Sequence, residues 1–218
     1  MFHARLADLF EGGGCPLCRH GERSAARFLE SMLWERVSDV GFQRELVEAR
    51  GFCPRHTHEV VIADRRHMGG TLGSAILFGT VLRERLRELE DARRHAGRTR
   101  GRRLEAARAA PTCPACAQCD AAVSDAVAGL IEVAADPAWS EALAAAPFCL
   151  DHLERLMIAG AGADPWRTIE DRQVARLRAL ADRLASFVHH SSHDRRHLLT
   201  EDELRAADSV EGLLGGNT

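Results

Sequence analysis

The chain has 218 residues, of which 45% are apolar and 28% are charged, and its formal net charge is −3. This composition suits a globular protein with a core and gives no global reason to expect nucleic acid or an anionic membrane as a partner. Lysine and tyrosine are both absent, which excludes lysine Schiff-base chemistry and tyrosine acid/base chemistry.

The interpretation of the seven cysteines depends on whether the protein is in a reducing compartment. No apolar run is long enough to span a bilayer, and the first residues lack the apolar stretch of a signal peptide. We therefore expect a cytoplasmic protein that makes no membrane contact. In a reducing compartment, spaced cysteines are more often metal ligands or redox-active thiols than structural disulfides.

Two cysteine motifs lie in the first half of the chain. Cys15-Pro-Leu-Cys18 is a Cys-x-x-Cys loop, and it is followed by Gly51-Phe-Cys53-Pro-Arg-His56, with 34 residues between Cys18 and Cys53. The Cys-x-x-Cys loop presents two sulfurs across a tight turn. Cys-x-x-His at the start of a helix brings a thiolate and an imidazole to the same side, one turn apart. The first half therefore offers three sulfurs and one nitrogen for a single cation.

An amphipathic helix and a basic segment follow. Leu82, Leu86 and Leu89 share one stripe of a predicted helix, with charged residues elsewhere. The segment from Arg93 to Arg103 is polar and basic and contains two glycines, which indicates a hinge or an exposed helical extension. Because no aromatic residue is interleaved to stack on bases, we interpret it as a solvated linker and do not expect nucleic-acid binding.

The second half repeats the motifs of the first. Cys113-Pro-Ala-Cys116 is followed by Pro147-Phe-Cys149-Leu-Asp-His152, with 32 residues between Cys116 and Cys149, and Glu141 lines up with Glu45. Duplication of one ancestral unit is the simplest explanation. Further on, apolar residues from Trp166 to Phe187 recur every three to five positions and predict a helix of about six turns.

A capping box at Thr200-Glu-Asp-Glu203 opens a last short helix that ends near Gly215. No alternating strand pattern is present, so the sequence predicts an all-α helical bundle built from two pseudo-repeats, each with its own Cys₃His metal site. The expected segments are a first metal-binding repeat (1–96), a basic linker (97–112), a second metal-binding repeat (113–160) and C-terminal helices packing on the repeats (161–218).

The repeated cysteines could bind zinc, bind an iron–sulfur cluster or act as a redox dithiol. We expect two Zn²⁺ per chain, because closed Cys₃His sites suit a structural zinc ion. An iron–sulfur cluster is the alternative, since Cys119 completes a Cys-x-x-Cys-x-x-Cys run. A dithiol redox motif is a further alternative, although no βαβ pattern surrounds either Cys-x-x-Cys. A c-type haem is disfavoured, because His20 does not directly follow Cys18.

Cys119 and the histidines between His189 and His197 are not assigned to the two metal sites. Gly21 stands where a counterpart of Cys119 would lie in the first half, so we interpret Cys119 as a bystander in the helix. The segment from His189 to His197 contains four histidines and is interpreted as a polar connector before the final helix. A second polar site there, or packing on the repeats, remains the alternative.

The order of these motifs resembles an uncharacterised family of bacterial proteins that is catalogued only as a domain of unknown function. The resemblance extends from Cys15 to about Leu214. It implies eight shared residues, which are Cys15, Cys18, Cys53, His56, Cys113, Cys116, Cys149 and His152, and it supplies no activity or substrate.

The expected function is that of a non-enzymatic, metal-stabilised helical protein that binds a protein partner of unknown identity. An iron–sulfur or dithiol redox protein, acting in electron transfer or redox sensing, is the alternative. A catalytic zinc enzyme ranks lowest, because four protein ligands leave no open position for water. The pathway and the oligomeric state are left open by the sequence.

Overall fold

The computed structural model describes residues 8–95, 97–106, 112–192 and 194–214. The predicted all-α fold is confirmed, since these residues form ten α-helices and no strand. None of the helices among them is long and apolar enough to cross a membrane. The helices are α1 (Pro16–Glu35), α2 (Val40–Glu48), α3 (Pro54–Met68), α4 (Leu72–Arg93), α5 (Gly97–Ala106), α6 (Pro114–Val133), α7 (Pro137–Ala145), α8 (Leu150–Ala159), α9 (Asp164–His190) and α10 (Glu201–Leu214), with a 3₁₀ turn at Arg196–Leu198.

The chain divides into two compact units that are not continuous in sequence. The terminal unit comprises Met1–Gly21 and Ala122–Thr218, and the central unit comprises Glu22–Ala121. The boundaries fall within α1 and α6. This division differs from the four sequence segments, because each predicted repeat contributes residues to both units. The segments describe a sequence repeat, whereas the units describe which residues pack together.

The terminal unit is built around the side of α9 that faces α7 and α10. Its core includes Leu130, Leu143 and Leu156, and the indole of Trp166 is completely buried among them. The predicted long helix is therefore present as α9, which begins at Asp164 with Pro165 at its first turn. A proline is tolerated there because the first N–H groups of a helix have no partner within the helix.

A buried glutamine joins α9 to the end of α7. The Nε2 atom of Gln173 donates to the carbonyl oxygens of Leu143, Ala144 and Ala146 at 2.7, 3.2 and 3.0 Å. The last carbonyls of a helix have no partner within it, so a side chain must satisfy them when the helix end is buried. Gln173 thereby fixes the chain three residues before Cys149.

The central unit packs α2, α3 and α4 around a second core that includes Leu29, Phe42, Val60 and Leu77. The completely buried carboxylate of Asp64, on α3, accepts hydrogen bonds from the backbone N and the Oγ of Ser74, both at 2.7 Å. Asp64 thus caps the start of α4 from a neighbouring helix. This tie holds α3, whose first residue follows Cys53.

The capping box at the final helix is formed as predicted. The backbone N of Thr200 donates to Glu203 Oε2 at 2.9 Å, and the backbone N of Glu203 donates to Thr200 Oγ1 at 3.3 Å. In the predicted linker, residues 97–106 form α5, a helical extension, and 107–111 lie outside the described residues.

Candidate metal centres

Eight predicted site residues are brought together in two groups of four. The terminal cluster consists of Cys15, Cys18, Cys149 and His152, and the central cluster consists of Cys53, His56, Cys113 and Cys116. Within each cluster the four donor atoms lie within 4.8 Å of one another. All seven cysteines of the chain are described, and none of them forms a disulfide. Each cluster offers three sulfurs and one nitrogen and could hold a metal ion.

The grouping of these residues differs from the expectation that each half builds its own site. The Cys-x-x-Cys loop of the first half meets the Cys-x-x-His motif of the second half, and the reverse combination forms the other cluster. In each half a 20-residue helix of about 30 Å and a nine-residue helix of about half that length lie between the Cys-x-x-Cys and the Cys-x-x-His motif.

Both Cys-x-x-Cys loops are built in the same way at the start of a long helix. Cys15 directly precedes α1, and its carbonyl oxygen accepts from the backbone N of Arg19 at 3.2 Å. Cys113 precedes α6, and its carbonyl oxygen accepts from Ala117 N at 2.9 Å. A proline follows each of these cysteines at the first helical position, where its missing N–H has no consequence. The second cysteine then lies on the first helical turn.

The two Cys-x-x-His motifs also share one local geometry. Cys53 is the N-cap of α3 with φ −64° and ψ 164°, and Cys149 is the N-cap of α8 with φ −71° and ψ 163°. Neither side chain forms a capping hydrogen bond with the backbone of its helix, and each sulfur instead contacts the histidine one turn later. Each cluster therefore lies at the N-terminal ends of two helices, whose partial positive charge favours thiolates.

In the terminal cluster the donor–donor distances are close to the edges of a zinc tetrahedron, with two of the nitrogen–sulfur distances slightly shorter. His152 Nδ1 lies 3.5 Å from Cys15 Sγ, 3.3 Å from Cys18 Sγ and 3.1 Å from Cys149 Sγ. The Cys18 and Cys149 sulfurs are 3.6 Å apart. A tetrahedral zinc ion with Zn–S bonds of about 2.3 Å and a Zn–N bond of about 2.0 Å requires edges of about 3.5–3.8 Å.

The central cluster has the same dimensions. His56 Nδ1 lies 3.2 Å from Cys53 Sγ, 3.6 Å from Cys113 Sγ and 3.3 Å from Cys116 Sγ. The sulfurs of Cys53 and Cys116 are 3.8 Å apart. These S–S separations are much longer than the bond of about 2.05 Å in a disulfide. The donor sets of both clusters therefore fit a single four-coordinate ion.

Each cluster histidine directs Nδ1 toward the sulfurs and Nε2 toward a carboxylate. His56 Nε2 is 3.8 Å from Glu59 Oε2, and His152 Nε2 is 4.0 Å from Asp151 Oδ2. These distances exceed those of a hydrogen bond, and the charge of Glu59 acts to raise the pKa of His56 against the larger lowering effect of burial. Carboxylates near a ligating imidazole commonly orient it and increase its basicity. Sequence analysis did not single out Glu59 or Asp151, although each lies within three residues of its histidine.

The crowded thiols of the terminal cluster perturb one another. Hydrogen bonds with Cys149 and then with Cys18 lower the pKa of the Cys15 thiol. Hydrogen bonds with Cys15 and then with Cys18 raise the pKa of the Cys149 thiol. Burial alone would lower the pKa of His152, but its contacts with Cys149 and Cys15 raise that pKa to about 9. Three thiols this close cannot all ionise unless a cation offsets their mutual repulsion.

The central cluster shows the same crowding with a different outcome at the imidazole. Burial and then the neighbouring Cys113 charge raise the pKa of Cys116 to about 12. Burial lowers the pKa of His56. Neutral imidazole is the form that binds metal ions. The central cluster therefore offers a neutral imidazole and three thiols as metal ligands, and the thiols need a nearby cation to become thiolates.

The remaining candidate residues lie apart from the two quartets. Cys119 lies on α6 one turn after Cys116 and lines a cavity beside the central cluster. His190 Nδ1 contacts Glu203 Oε1 at 3.0 Å, and both nitrogens of His189 contact Arg195. His193 lies outside the described residues. In the part of the chain that the structure describes, Cys/His/carboxylate groups suited to a metal occur only as these two clusters.

The chain belongs to a family of unknown function, DUF6062, whose sequence model matches residues 2–163. The match includes all eight cluster residues. No curated protein and no solved structure matches the chain.

Proposed function

We propose that this member of the DUF6062 family is a zinc-stabilised helical protein whose task is to bind a protein partner, with one structural Zn²⁺ in each cluster. The observation that carries the proposal is the pair of Cys₃His quartets with tetrahedral edge lengths. When bound, a zinc ion supplies the charge that holds three thiolates together. The chain supplies four ligands to each ion, which leaves no position for a reactive water.

The spacing of the donor atoms favours a single ion over an iron–sulfur cluster. In a multinuclear cluster the cysteines bind different irons, so their sulfurs lie around the outside of a larger group. In both quartets, however, the four donors surround a space suited to one ion. The dithiol alternative is less well supported, because each Cys-x-x-Cys faces a further cysteine and a histidine. An iron–sulfur or dithiol redox protein, for electron transfer or redox sensing, remains the second candidate.

A structural role follows from where the ligands lie in the chain. The terminal cluster joins the loop at Cys15 and Cys18 to the start of α8, and the central cluster joins the start of α3 to the start of α6. Each ion therefore closes a long loop, which removes much more conformational freedom from the unfolded chain than a local contact does. Structural zinc contributes folding free energy directly.

Duplication of one unit is supported by the order and lengths of the helices. In each half a 20-residue helix opened by Cys-x-x-Cys is followed by a nine-residue helix. Asp39 and Asp136 cap the two short helices with side-chain hydrogen bonds to Phe42 N and Ala138 N. A cysteine N-cap then opens the third helix in both halves.

The surface that we propose for the partner is the exposed stripe of α4. Leu82, Leu86 and Leu89 are 69%, 52% and 46% exposed, so the predicted apolar face is turned to solvent. The occupant we propose is a second copy of the chain, with the two stripes packed antiparallel. In that arrangement Arg83 of one copy lies opposite Glu90 of the other, because both residues flank the leucines on the same side of the helix.

Metal analysis tests the proposed function. Protein purified anaerobically without a polyhistidine tag is expected to contain two zinc ions per chain and to be colourless. Complete removal of the metal with a strong chelator should abolish much of the helical circular dichroism, since structural zinc provides on the order of 10 kcal/mol per site in zinc-finger peptides. A brown protein containing iron and sulfide would support the iron–sulfur alternative. Unchanged circular dichroism in metal-free protein would contradict the structural role.

The partner surface has a separate test. Light scattering after gel filtration should show a dimer for the natural chain and a monomer for Leu86→Glu, both with two zinc ions. Leu204→Glu on α10, where the leucine is 55% exposed, is the matched control and should remain dimeric. A monomeric natural chain across the accessible concentration range would contradict a second copy as the occupant.

A further inference from the structure

The two clusters differ in what lies beside them. In the terminal cluster, Cys15, Cys149 and His152 are buried, and only Cys18 is half-buried. In the central cluster, both Cys53 and Cys116 are half-buried, and both line a cavity of about 400 Å³. A water molecule has a volume of about 30 Å³ in the liquid, so small solutes can reach these two sulfurs. Small reagents therefore have a route to the central cluster.

A third thiol, that of Cys119, lines the same cavity. Cys116 and Cys119 both belong to α6 and are three positions apart. Side chains at this spacing lie on the same face of a helix, with their β-carbons about 5–6 Å apart. Their Cα atoms are about 5 Å apart by helical geometry, which falls within the range for a disulfide. The β-carbons must approach by about 1–2 Å, through a local adjustment of the first turns of α6, to reach the separation of about 3.5–4.5 Å found in a disulfide. The cavity thus holds a non-ligand thiol within bonding reach of a ligand thiol.

The terminal cluster has no equivalent arrangement. Gly21 lies three positions after Cys18, where Cys119 lies after Cys116. The rest of the cavity wall beside the central cluster combines two alanines with charged side chains. Arg55 forms ion pairs there with Glu22 at 3.1 Å and Glu59 at 2.9 Å. The central cluster therefore has a fourth thiol, that of Cys119, beside its three cysteines, and the terminal cluster has none at the equivalent position.

We propose that Cys119 is an oxidation site at which peroxides convert the Cys116–Cys119 pair into a disulfide and so release the metal of the central cluster. The disulfide part of this inference stands on the cavity and the helix, while the metal-release part rests on the proposed zinc function. The terminal cluster keeps its ion under the same conditions. The central cluster is then the redox-responsive member of the pair.

The chemistry balances with a peroxide as the oxidant. The Cys119 thiolate attacks the O–O bond of hydrogen peroxide; an S–O bond forms, the O–O bond breaks, and the departing hydroxide takes a proton to become water. The Cys116 sulfur, leaving the metal, then attacks the sulfenic sulfur of Cys119. An S–S bond forms, the S–O bond breaks and a second water leaves. Two thiols lose two electrons in total, and one peroxide is reduced to two waters.

The test uses the full-length metal-loaded protein and hydrogen peroxide. Zinc release is followed with a chromogenic chelator, and disulfides are identified by peptide mass spectrometry without reduction. We expect rapid release of one of the two zinc ions together with a peptide linked through Cys116 and Cys119. In Cys119→Ser, which should still bind two zinc ions, the rapid release should be lost. Ala117→Ser, an exposed position on the same helix, is the matched control and should behave like the natural chain.

A second pair of variants tests access through the cavity. Ala26 is exposed and lines the cavity, whereas Ala128 on α6 is exposed and is not part of its lining. Ala26→Leu should slow the release, and Ala128→Leu should not. A disulfide between Cys53 and Cys116, or equal release from both clusters, would overturn the assignment to Cys119, as would unchanged release in Cys119→Ser. Protein that contains no zinc at the outset would sink the proposed function, while the Cys116–Cys119 linkage would still be read from the peptide map.

Discussion

Cys18 and Cys149 are 131 positions apart in the chain, yet their sulfur atoms lie 3.6 Å from each other. The approach requires the loop before α8 to reach the first turn of α1. The corresponding pair in the central cluster, Cys53 and Cys116, is separated by 63 positions and 3.8 Å. Each cluster thus takes one motif from each half of the sequence. Each candidate site therefore needs both halves of the sequence, unlike a metal site whose ligands all come from one short segment.

The exchanged grouping makes a stoichiometric prediction for double variants. Cys18→Ser combined with Cys149→Ser removes two ligands from one cluster, so the protein should retain about one zinc ion per chain. Cys18→Ser combined with Cys53→Ser removes one ligand from each cluster and should leave both sites impaired, because Cys₃His sites need all four ligands for structural zinc. Zinc per chain is measured by elemental analysis of purified protein.

The same pair of variants discriminates against sites confined to each half. If Cys15, Cys18, Cys53 and His56 shared one ion, the Cys18/Cys53 variant would retain one zinc and the Cys18/Cys149 variant would lose both. A Cys119→Ser protein provides the control for loss of a thiol outside the quartets and should retain two. The two groupings therefore predict opposite results from one measurement.

Gln173 is expected to be a strong determinant of stability in the terminal unit. It is buried, and its Nε2 donates to three carbonyl oxygens at the end of α7. In Gln173→Leu the carbonyl oxygens of Leu143 and Ala144 lose this donor, whereas that of Ala146 still accepts from Arg176 Nη1 and from the backbone N of Phe148. The two unpaired acceptors should lower the free energy of unfolding by about 1–3 kcal/mol. Urea denaturation followed by circular dichroism measures the change. Gln118→Leu, at an exposed position of α6, should change stability by less than about 0.5 kcal/mol.

Gly160 is expected to tolerate no side chain. A β-carbon at this position would lie 2.4 Å from Cδ1 of Trp166, whose indole is completely buried. Gly160→Ala should therefore lower the free energy of unfolding by about 1–3 kcal/mol through overpacking. At Gly212 on α10 a β-carbon would meet nothing within 4 Å. Gly212→Ala should thus be neutral or stabilising by up to about 1 kcal/mol, as thermal unfolding of the two variants can show.

The sequence predicts the local features of this fold well, because short-range rules govern them. The capping box at Thr200 and Glu203, the long helix after Ala163 and the identity of the clustered residues follow from spacing and helical period. The exchange of ligands between halves could not be predicted this way. Cys15 and Cys113 precede helices of equal length and begin identical motifs, so either could face His56 as far as local sequence shows. Long-range packing makes that choice.

The sequence also could not predict the contact between Asp64 and Ser74. An aspartate in the interior of a helix usually predicts solvent exposure, but Asp64 is completely buried and caps the neighbouring α4. Leu86 represents the opposite case, since it lies on the predicted apolar stripe of its helix and is nevertheless 52% exposed. In both cases the neighbouring helix decides burial, and periodicity within one helix carries no information about that neighbour.

The last prediction concerns acid stability and Glu203. A hydrogen bond from Ser186 and another from the backbone N of Thr200 lower the pKa of the Glu203 carboxyl to about 2, from an ordinary value of 4.5. The ionised carboxylate therefore stabilises the folded state fully above pH 4.5, and that contribution is lost as the pH falls toward 2. Glu203→Gln, which cannot ionise, should be less stable than the natural chain at neutral pH, and the difference should shrink below pH 4.5.

Taking the difference between the two proteins isolates Glu203 from the metal clusters, whose thiolates are also sensitive to acid but are present in both. Urea unfolding measured at intervals between about pH 7 and pH 3.5 gives the difference directly. Glu201→Gln, two residues earlier at the exposed first position of α10, is the matched control, and its difference in stability from the natural chain should not shrink in this way. A stability difference for Glu203→Gln that stays constant through this range would mean that the carboxylate charge does not act on folding through its contacts with Ser186 and Thr200.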